Sequence, residues 1–188
     1  MCVILSCKSR HPTLEMLERA HAANPHGAGV AWREGGLVRW RKGLDAAGVA
    51  QLIADGVLQF PYVVHFRLAS VGEHSPELCH PFPITDSAST DLEGSASSVL
   101  FHNGTWRDYE SHLLRMRIQG QISDTRVLAA WISQNEKPTD EGWFADLMLD
   151  RLSETSRFVL FDHRGPILYG RWWRIDQVDL SNTIFMKH

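Results

Sequence analysis

The chain begins Met1-Cys2-Val3-Ile4-Leu5-Ser6-Cys7, a short and mostly apolar stretch. Its run of apolar side chains predicts a short buried strand over residues 2–7. Removal of Met1 would make Cys2 the N-terminal residue. Cys2 would then carry both a thiol and an α-amine of unperturbed pKa about 7.7–8.0, which can accept the thiol proton. The alternative is that Cys2 only begins the buried strand, because free cysteine is usually buried.

Length and composition limit the classes of function. The 188 residues fit a single domain, 1–188, that is large enough to bury a core. The net charge of −3, with no Lys/Arg tract, argues against a nucleic-acid or membrane surface. No apolar run approaches the roughly 18 residues of a membrane span, and the N-terminus lacks the pattern of a signal peptide. Three cysteines give no disulfide framework, so we expect a cytoplasmic protein.

Strand patterns occur at the start, middle and end of the chain, and helical patterns fill the gaps between them. The spacing predicts strands at 2–7, 30–32, 37–41, 62–67, 99–102, 157–162 and 167–169, with one or two edge strands between Trp172 and Phe185. It predicts helices at 45–55, 106–118, 124–135 and about 141–152, and one opening at Pro12-Thr13 with Leu14, Leu17 and His21 on one face. Residues 68–83 are expected to form a long loop, and 85–98 a flexible excursion or weak hairpin. This order favours an α+β fold in which helices cover the outer sides of two sheets.

Five further segments carry residue types that suit chemistry. They are Asn24-Pro25-His26-Gly27-Ala28-Gly29, His65-Phe66-Arg67-Leu68-Ala69-Ser70, Cys79-His80-Pro81-Phe82, His102-Asn103-Gly104-Thr105 and Ser123-Asp124-Thr125. Taken in order with Cys2, they resemble the glutaminase domain of class II glutamine amidotransferases, in the N-terminal-nucleophile hydrolase superfamily. The resemblance extends from Cys2 to Ser181-Asn182-Thr183. It implies a four-layer αββα sandwich with two mainly antiparallel sheets between helical layers.

Arg67 and Asp124 carry opposite charges that suit the two ends of an amino acid. A guanidinium can bind both oxygens of a carboxylate, although Arg67 could also be a surface charge at a strand end. The resemblance implies that Arg67 binds the α-carboxylate of glutamine with help from Ser70, and that Asp124 binds the α-ammonium. Alternatively, Ser123 or Asp124 caps the helix that begins there.

Asn103-Gly104 has two interpretations. Asn-Gly is the preferred two-residue hairpin turn. An asparagine amide and an unhindered glycine N–H can also stabilise one developing oxyanion. The resemblance implies that these two residues form the oxyanion hole. It gives His80 a supporting role beside the active site rather than a role in proton transfer.

The histidine content raises the question of a metal site. The candidate ligands are His74, Glu77, Cys79 and His80. Their spacing matches no standard zinc pattern, and two prolines interrupt any helical alignment, so we expect neither a metal nor another cofactor. The resemblance implies instead that loop 68–80 is a lid that closes over bound glutamine and excludes water.

Two residues depart from the family pattern. Val3 stands where glycine usually follows the cysteine, and His26 stands where an acidic residue is common. We expect no ammonia-using domain after the glutaminase-like one. The expected activity is therefore release of ammonia from glutamine through a γ-glutamyl thioester on Cys2, for a separate synthase subunit. Two alternatives remain: hydrolysis of γ-glutamyl peptides or conjugates by the chain alone, and a catalytically inactive binding or scaffold subunit.

Overall fold

A computed structural model describes residues 2–116, 118–134 and 155–186. In these residues the strand pairings are antiparallel throughout. The strands are β1 (Val3–Cys7), β2 (Ala28–Glu34), β3 (Leu37–Leu44), β4 (Tyr62–Phe66), β5 (Phe82–Pro83), β6 (Glu93–Ala96), β7 (Ser98–Asn103), β8 (Arg157–Asp162), β9 (Gly165–Tyr169), β10 (Trp173–Ile175) and β11 (Val178–Leu180). They form a seven-stranded sheet of order β10-β11-β1-β4-β2-β3-β6 and a four-stranded sheet of order β5-β7-β8-β9.

Side-chain caps mark the starts of the first two helices of the described residues. They are α1 (Leu14–Ala23), α2 (Ala46–Ala54), α3 (Tyr109–Leu113) and α4 (Asp124–Gln134), with 3-10 turns at Pro76–Leu78 and Ile184–Met186. The Thr13 side chain accepts a hydrogen bond from the Met16 N–H at the start of α1, and Asp45 accepts one from the Gly48 N–H at the start of α2. The predicted helix at 141–152 lies outside the described residues.

Side-chain alternation along β1 explains the layers. Val3, Leu5 and Cys7 point to one side, into an apolar cluster with residues of α1 and α2. Ile4 points to the other side, into a cluster between the two sheets that includes Phe101 of β7. The far face of the smaller sheet packs against α3 and α4, with Leu100, Phe158, Leu160, Val127 and Leu128 in the contact. The architecture is therefore the expected four-layer αββα sandwich.

The C-terminal strands differ from the prediction of edge strands. β10 is an edge strand, but β11 lies inside the large sheet and pairs with β1, with Leu5 opposite Leu180. On its other side β1 pairs with β4, with Val3 opposite Phe66. A strand buried on both faces and paired on both edges has its position strongly determined. The N-terminal end of the chain is thus held by a β-strand from its C-terminal part.

Three further expectations need correction. Leu14 is 55% exposed, and the buried stripe of α1 consists of Met16, Leu17 and Ala20 instead. The helix predicted at 106–118 is the shorter α3 in the described residues. The polar excursion at 85–98 ends in β6, which pairs with β3. No helix in the described part of the chain has the length and apolar character that a membrane crossing requires.

Gly29 on β2 allows the loop that carries His80 to lie directly against the large sheet. A Cβ built on Gly29 would be 1.8 Å from the backbone oxygen of His80. We therefore expect Gly29→Ala to lower the free energy of unfolding by about 3 kcal/mol, measured by urea denaturation.

Gly48→Ala on α2 is the matched control, because the nearest atoms to its added Cβ would be side-chain atoms 3.3 Å away. We expect this variant to stay within about 1 kcal/mol of the unmodified protein. Equal stability of the two variants would contradict the close approach of the His80 loop.

Candidate functional site

The pairing of β1 with β4 places Cys2 beside the residues that follow β4. The Leu68 N–H donates a hydrogen bond to Cys2 Sγ at 3.2 Å, and the Cys2 thiol donates to the Leu68 carbonyl oxygen at 3.3 Å. Burial raises the pKa of the Cys2 thiol. The thiol is therefore protonated at neutral pH and needs a base before it can act as a nucleophile.

A cavity of about 680 Å³ opens beside Cys2. Its wall includes Ser70, Asn103, Gly104 and Thr105, and the hydroxyls of Ser70 and Thr105 lie 3.1 Å apart. The cavity therefore brings together the predicted nucleophile, the two predicted oxyanion-hole residues and the predicted assisting hydroxyl.

Cys2 also borders a much smaller pocket, of about 20 Å³. This second pocket is lined by Arg67, Asp124, His80 and His102, so the two predicted charged residues lie near each other and near Cys2. A volume of this size is comparable to that of one water molecule. In the conformation described, the pocket is too small for the head group of an amino acid.

Arg67 is held by the loop that follows it. Its guanidinium donates hydrogen bonds to the backbone oxygens of Glu73 at 2.7 Å and Val71 at 3.1 Å. These contacts take up two of the five N–H groups of an arginine. Burial lowers the pKa of Arg67, but a guanidinium keeps its charge in a protein. Arg67 is therefore not the exposed charge of the alternative interpretation.

Asp124 lies at the start of α4, where the capping role belongs to its neighbour. The Ser123 hydroxyl accepts a hydrogen bond from the Arg126 N–H at 3.2 Å. Asp124 Oδ2 instead accepts from the Trp106 N–H at 2.7 Å and lies 3.9 Å from His102 Nδ1. Burial raises the pKa of the Asp124 carboxyl. Asp124 is among the residues that line the small pocket.

Asn103-Gly104 does not form a hairpin turn. Asn103 is the last residue of β7, which pairs with β5 and β8, and the chain then continues towards α3. A Cβ built on Gly104 would be 2.4 Å from the Ser156 hydroxyl oxygen and 2.5 Å from His102 Nε2. Any other residue would have to displace the Ser156 or His102 side chain, and glycine leaves the backbone N–H unhindered by a side chain of its own.

Ser181 and Asn182 contribute contacts that the sequence reasoning did not assign. Asn103 Nδ2 donates a hydrogen bond to the Ser181 hydroxyl oxygen at 2.8 Å, and Asn182 Nδ2 donates to the Cys2 backbone oxygen at 2.7 Å. The only signal for either residue was its place at the end of the stretch that carries the family resemblance. Both side chains contact residues predicted to take part in chemistry.

His80 and His26 hold backbone groups close to the site through their ring nitrogens. His80 stacks on His65, with ring centroids 4.1 Å apart, and its Nδ1 accepts a hydrogen bond from the His102 N–H at 3.3 Å. His26 Nδ1 accepts from the Ala69 N–H at 2.9 Å, and its ring stacks on His74 at 3.7 Å. The residue that departs from the family pattern, His26, therefore anchors the loop after β4.

Three of the four residues considered as metal ligands contact residues outside that set. His74 stacks on His26, the Cys79 thiol donates to the His26 backbone oxygen at 3.5 Å, and His80 stacks on His65. Among the residues that the structure describes, no group of three or more His, Cys, Asp or Glu side chains is placed to hold a metal ion.

Two solved structures share this fold. Glutamine phosphoribosylpyrophosphate (PRPP) amidotransferase from B. subtilis, in complex with ADP and GMP, aligns with a TM-score of 0.65 and 15% identity, over 99% of this chain and 43% of that chain. The allosteric regulatory enzyme of purine biosynthesis aligns with a TM-score of 0.62 and 19% identity, again over 99% and 43%. The chain thus spans less than half the length of either. No family model and no curated protein sequence matches the chain. The likeness confirms the expected fold.

Three buried histidines of the site are neutral in the folded protein. Burial lowers the pKa values of His65 and His102 to about 3, and lowers that of His80 well below its usual value. The unfolded chain binds protons on these rings below about pH 6.5, whereas the folded chain does not. Their contribution to stability is therefore present above pH 6.5 and is lost as the pH falls towards 3.

We expect the free energy of unfolding to fall below pH 6.5 by about 1 kcal/mol per pH unit for each of these histidines. Urea denaturation between pH 7.5 and 5 measures the slope. The variant His65→Phe keeps a flat ring against His80 and should remove about a third of the slope that the three histidines contribute. An unchanged slope in this variant would show that His65 does not contribute to the pH dependence.

Proposed function

We propose that the chain is an N-terminal cysteine amidohydrolase of the class II glutamine amidotransferase type, which hydrolyses the side-chain amide of glutamine. The observation that carries this proposal is that Cys2 borders both the cavity with Asn103 and Gly104 and the pocket with Arg67 and Asp124. Hydrolysis of an amino-acid amide needs such a nucleophile, oxyanion donors and two opposite charges in one place. The fold shared with a glutamine PRPP amidotransferase supports the proposal.

The first half of the reaction forms a thioester. After removal of Met1, the α-amine of Cys2 takes the thiol proton, and the thiolate attacks the side-chain carbonyl carbon of glutamine. The electron pair of the carbonyl moves to its oxygen, where the Asn103 amide and the Gly104 N–H stabilise it. Collapse of this intermediate breaks the C–N bond. The α-ammonium returns its proton to the leaving group, which departs as ammonia.

The second half restores the enzyme. The α-amine accepts a proton from water, and the hydroxide oxygen attacks the γ-glutamyl thioester carbon. The C–S bond breaks, the sulfur regains a proton, and glutamate is released. The base and the nucleophile belong to the same residue, so retention of Met1 would block the amine and prevent both halves. Retention of Met1 in the mature protein would instead favour the alternative of an inactive binding subunit.

Specificity for the amino-acid head group comes from the small pocket. Arg67 binds the α-carboxylate and Asp124 binds the α-ammonium, with Ser70 assisting from the wall of the cavity. Because the pocket holds only about 20 Å³ in the conformation described, substrate entry requires movement of the loop after β4. The substrate carboxylate then replaces the Val71 and Glu73 oxygens on Arg67, and the loop acts as the lid.

Two fates of the leaving group are distinguishable. In the first proposal, ammonia passes to a separate synthase subunit, and addition of that partner raises the rate of glutamine hydrolysis. The second candidate is hydrolysis of γ-glutamyl conjugates by the chain alone, with glutamate as one product. The cavity of about 680 Å³ beside Cys2 favours it, because ammonia alone needs much less room. A higher kcat/KM for γ-glutamyl amides with bulky amines than for glutamine would support this candidate.

The proposal predicts that Cys2 is the reactive cysteine. A diazoketone analogue of glutamine should label Cys2 and neither Cys7 nor Cys79, which are fully buried. Cys2→Ala should abolish glutamine hydrolysis, whereas Cys7→Ala should retain it. Intact mass first establishes that Met1 has been removed, and peptide mass spectrometry locates the label. Hydrolysis that survives in Cys2→Ala, or a label on Cys79, would refute the enzymatic proposal.

The proposal also predicts that the small pocket governs KM. Arg67→Lys loses the planar fork that binds both carboxylate oxygens, and Asp124→Asn loses the charge that pairs with the ammonium. We expect each to raise the KM for glutamine about 10- to 100-fold, since a charge-assisted hydrogen bond contributes about 1.5–3 kcal/mol. Arg41→Lys, on the surface ion pair with Glu93, is the matched control and should leave KM unchanged. Unaltered KM in both pocket variants would contradict the assigned roles.

A further inference from the structure

Ser181 connects the strand of the nucleophile to the residue proposed to bind the oxyanion. Its hydroxyl oxygen lies 2.8 Å from the Ile4 backbone nitrogen and 2.8 Å from Asn103 Nδ2. Its own backbone N–H donates to the Ile4 oxygen at 3.0 Å, which continues the pairing of β11 with β1. Only 1% of Ser181 is exposed, so no solvent replaces these contacts.

The hydrogen-bonding capacity of this hydroxyl is limited. A serine hydroxyl has one proton to donate and two lone pairs that accept. The Ile4 N–H can only donate, so it occupies one lone pair in any arrangement. When Asn103 Nδ2 donates to the second lone pair, Asn103 Oδ1 is left buried without a hydrogen-bond partner among the described residues. A buried acceptor without a partner is unfavourable.

Rotation of the Asn103 amide by 180° gives a partner to both Asn103 Oδ1 and the Ser181 hydroxyl proton, and it leaves the N–H groups of the amide for a ligand. Oδ1 then accepts the proton of the Ser181 hydroxyl, while the Ile4 N–H stays on the oxygen of that hydroxyl. The amide nitrogen takes the place of the oxygen that had no partner, so its N–H groups are available away from Ser181. An oxyanion hole at Asn103, which lines the cavity beside Cys2, needs an N–H group, because a carbonyl oxygen would repel the developing negative charge.

We propose that Ser181 is a positioning residue that holds the Asn103 amide with its nitrogen directed at the oxyanion. This inference rests on the function proposed above and adds a residue to it. Ser181 contacts no reacting atom; it acts through the orientation of Asn103, and its own position is set by the Ile4 N–H.

Ser181→Ala tests the inference with three measurements. Removal of one oxyanion donor from an enzyme lowers kcat about 10²- to 10³-fold. Loss of the residue that orients such a donor should have a smaller effect, so we expect kcat for glutamine to fall about 10- to 100-fold, with KM within about 2-fold. The rate at which iodoacetamide alkylates Cys2 should not change, because displacement of iodide at a saturated carbon forms no oxyanion. Peptide mass spectrometry measures this rate at Cys2.

Two further variants complete the test. Ser6→Ala is the matched control, because Ser6 is a buried serine of β1 whose hydroxyl has no hydrogen-bond partner among the described residues. It should match the unmodified protein in kcat, KM and alkylation rate. Ser181→Cys keeps the size of the side chain but forms weaker hydrogen bonds, and should give an intermediate kcat. Thermal unfolding shows which variants are folded. If Ser181→Ala does not fold, the same measurements on Ser181→Cys test the inference.

The outcomes separate this inference from the proposed function. An unchanged kcat in Ser181→Ala overturns the inference. So does a parallel fall of kcat and of the alkylation rate, because that result indicates a general disturbance of β1. A lack of glutamine hydrolysis by the unmodified protein without Met1 overturns the proposed function, and the inference with it.

Discussion

The antiparallel pairing of β1 with both β4 and β11 is the constraint on which the site depends. Because β1 runs opposite to its two neighbours, its first residues lie beside the last residues of both. Cys2 therefore lies between Leu68, which follows β4, and Asn182, which follows β11. The same geometry places Ile4 beside Ser181 and, through Ser181, Asn103 of the second sheet. A slip of β1 by one residue would turn Ile4 towards the helices and separate all of these groups.

The electrostatics of the site follow from burial. Burial holds His65, His80 and His102 neutral, and for His65 and His80 the nearby Arg67 guanidinium also disfavours a positive charge. Arg67 therefore provides positive charge to the small pocket without competition from its neighbours. Asp124 provides the negative charge, and the backbone N–H of Trp106 steadies it. The zwitterionic head group of the proposed substrate would match this pair of charges, whereas a simple anion or a simple cation would match only one of them.

The sequence predicted the elements that local signals produce and missed the features that distant residues produce. The helix start at Pro12-Thr13 and the buried strand at 2–7 depend on neighbours in the sequence, and both were predicted correctly. Periodicity wrongly placed Leu14 on the buried face of α1. A helical spacing of 3.6 residues fits two adjacent stripes of side chains, and only tertiary packing determines which stripe is buried. Ser181 and Asn182 could not be assigned roles, since their partners lie 78 to 180 positions away. The family resemblance singled out Arg67 and Asp124. It could not predict that loop carbonyl groups accept hydrogen bonds from Arg67, because these contacts depend on the path of the loop and not on a sequence motif.

The contacts of Arg67 with the Val71 and Glu73 oxygens have a consequence for binding equilibria. In the conformation described, two backbone carbonyl groups of the loop accept hydrogen bonds from Arg67. A ligand that binds Arg67 therefore has to displace them, and they are always present at a fixed local concentration. Apparent affinity is then the intrinsic affinity multiplied by the fraction of molecules in which the loop has left the arginine. In the roles proposed for Arg67 and Asp124, a ligand with only a carboxylate would gain one ion pair in exchange for the loop contacts, whereas an amino acid would gain two. On that proposal, the loop would raise selectivity without adding any contact to the preferred ligand.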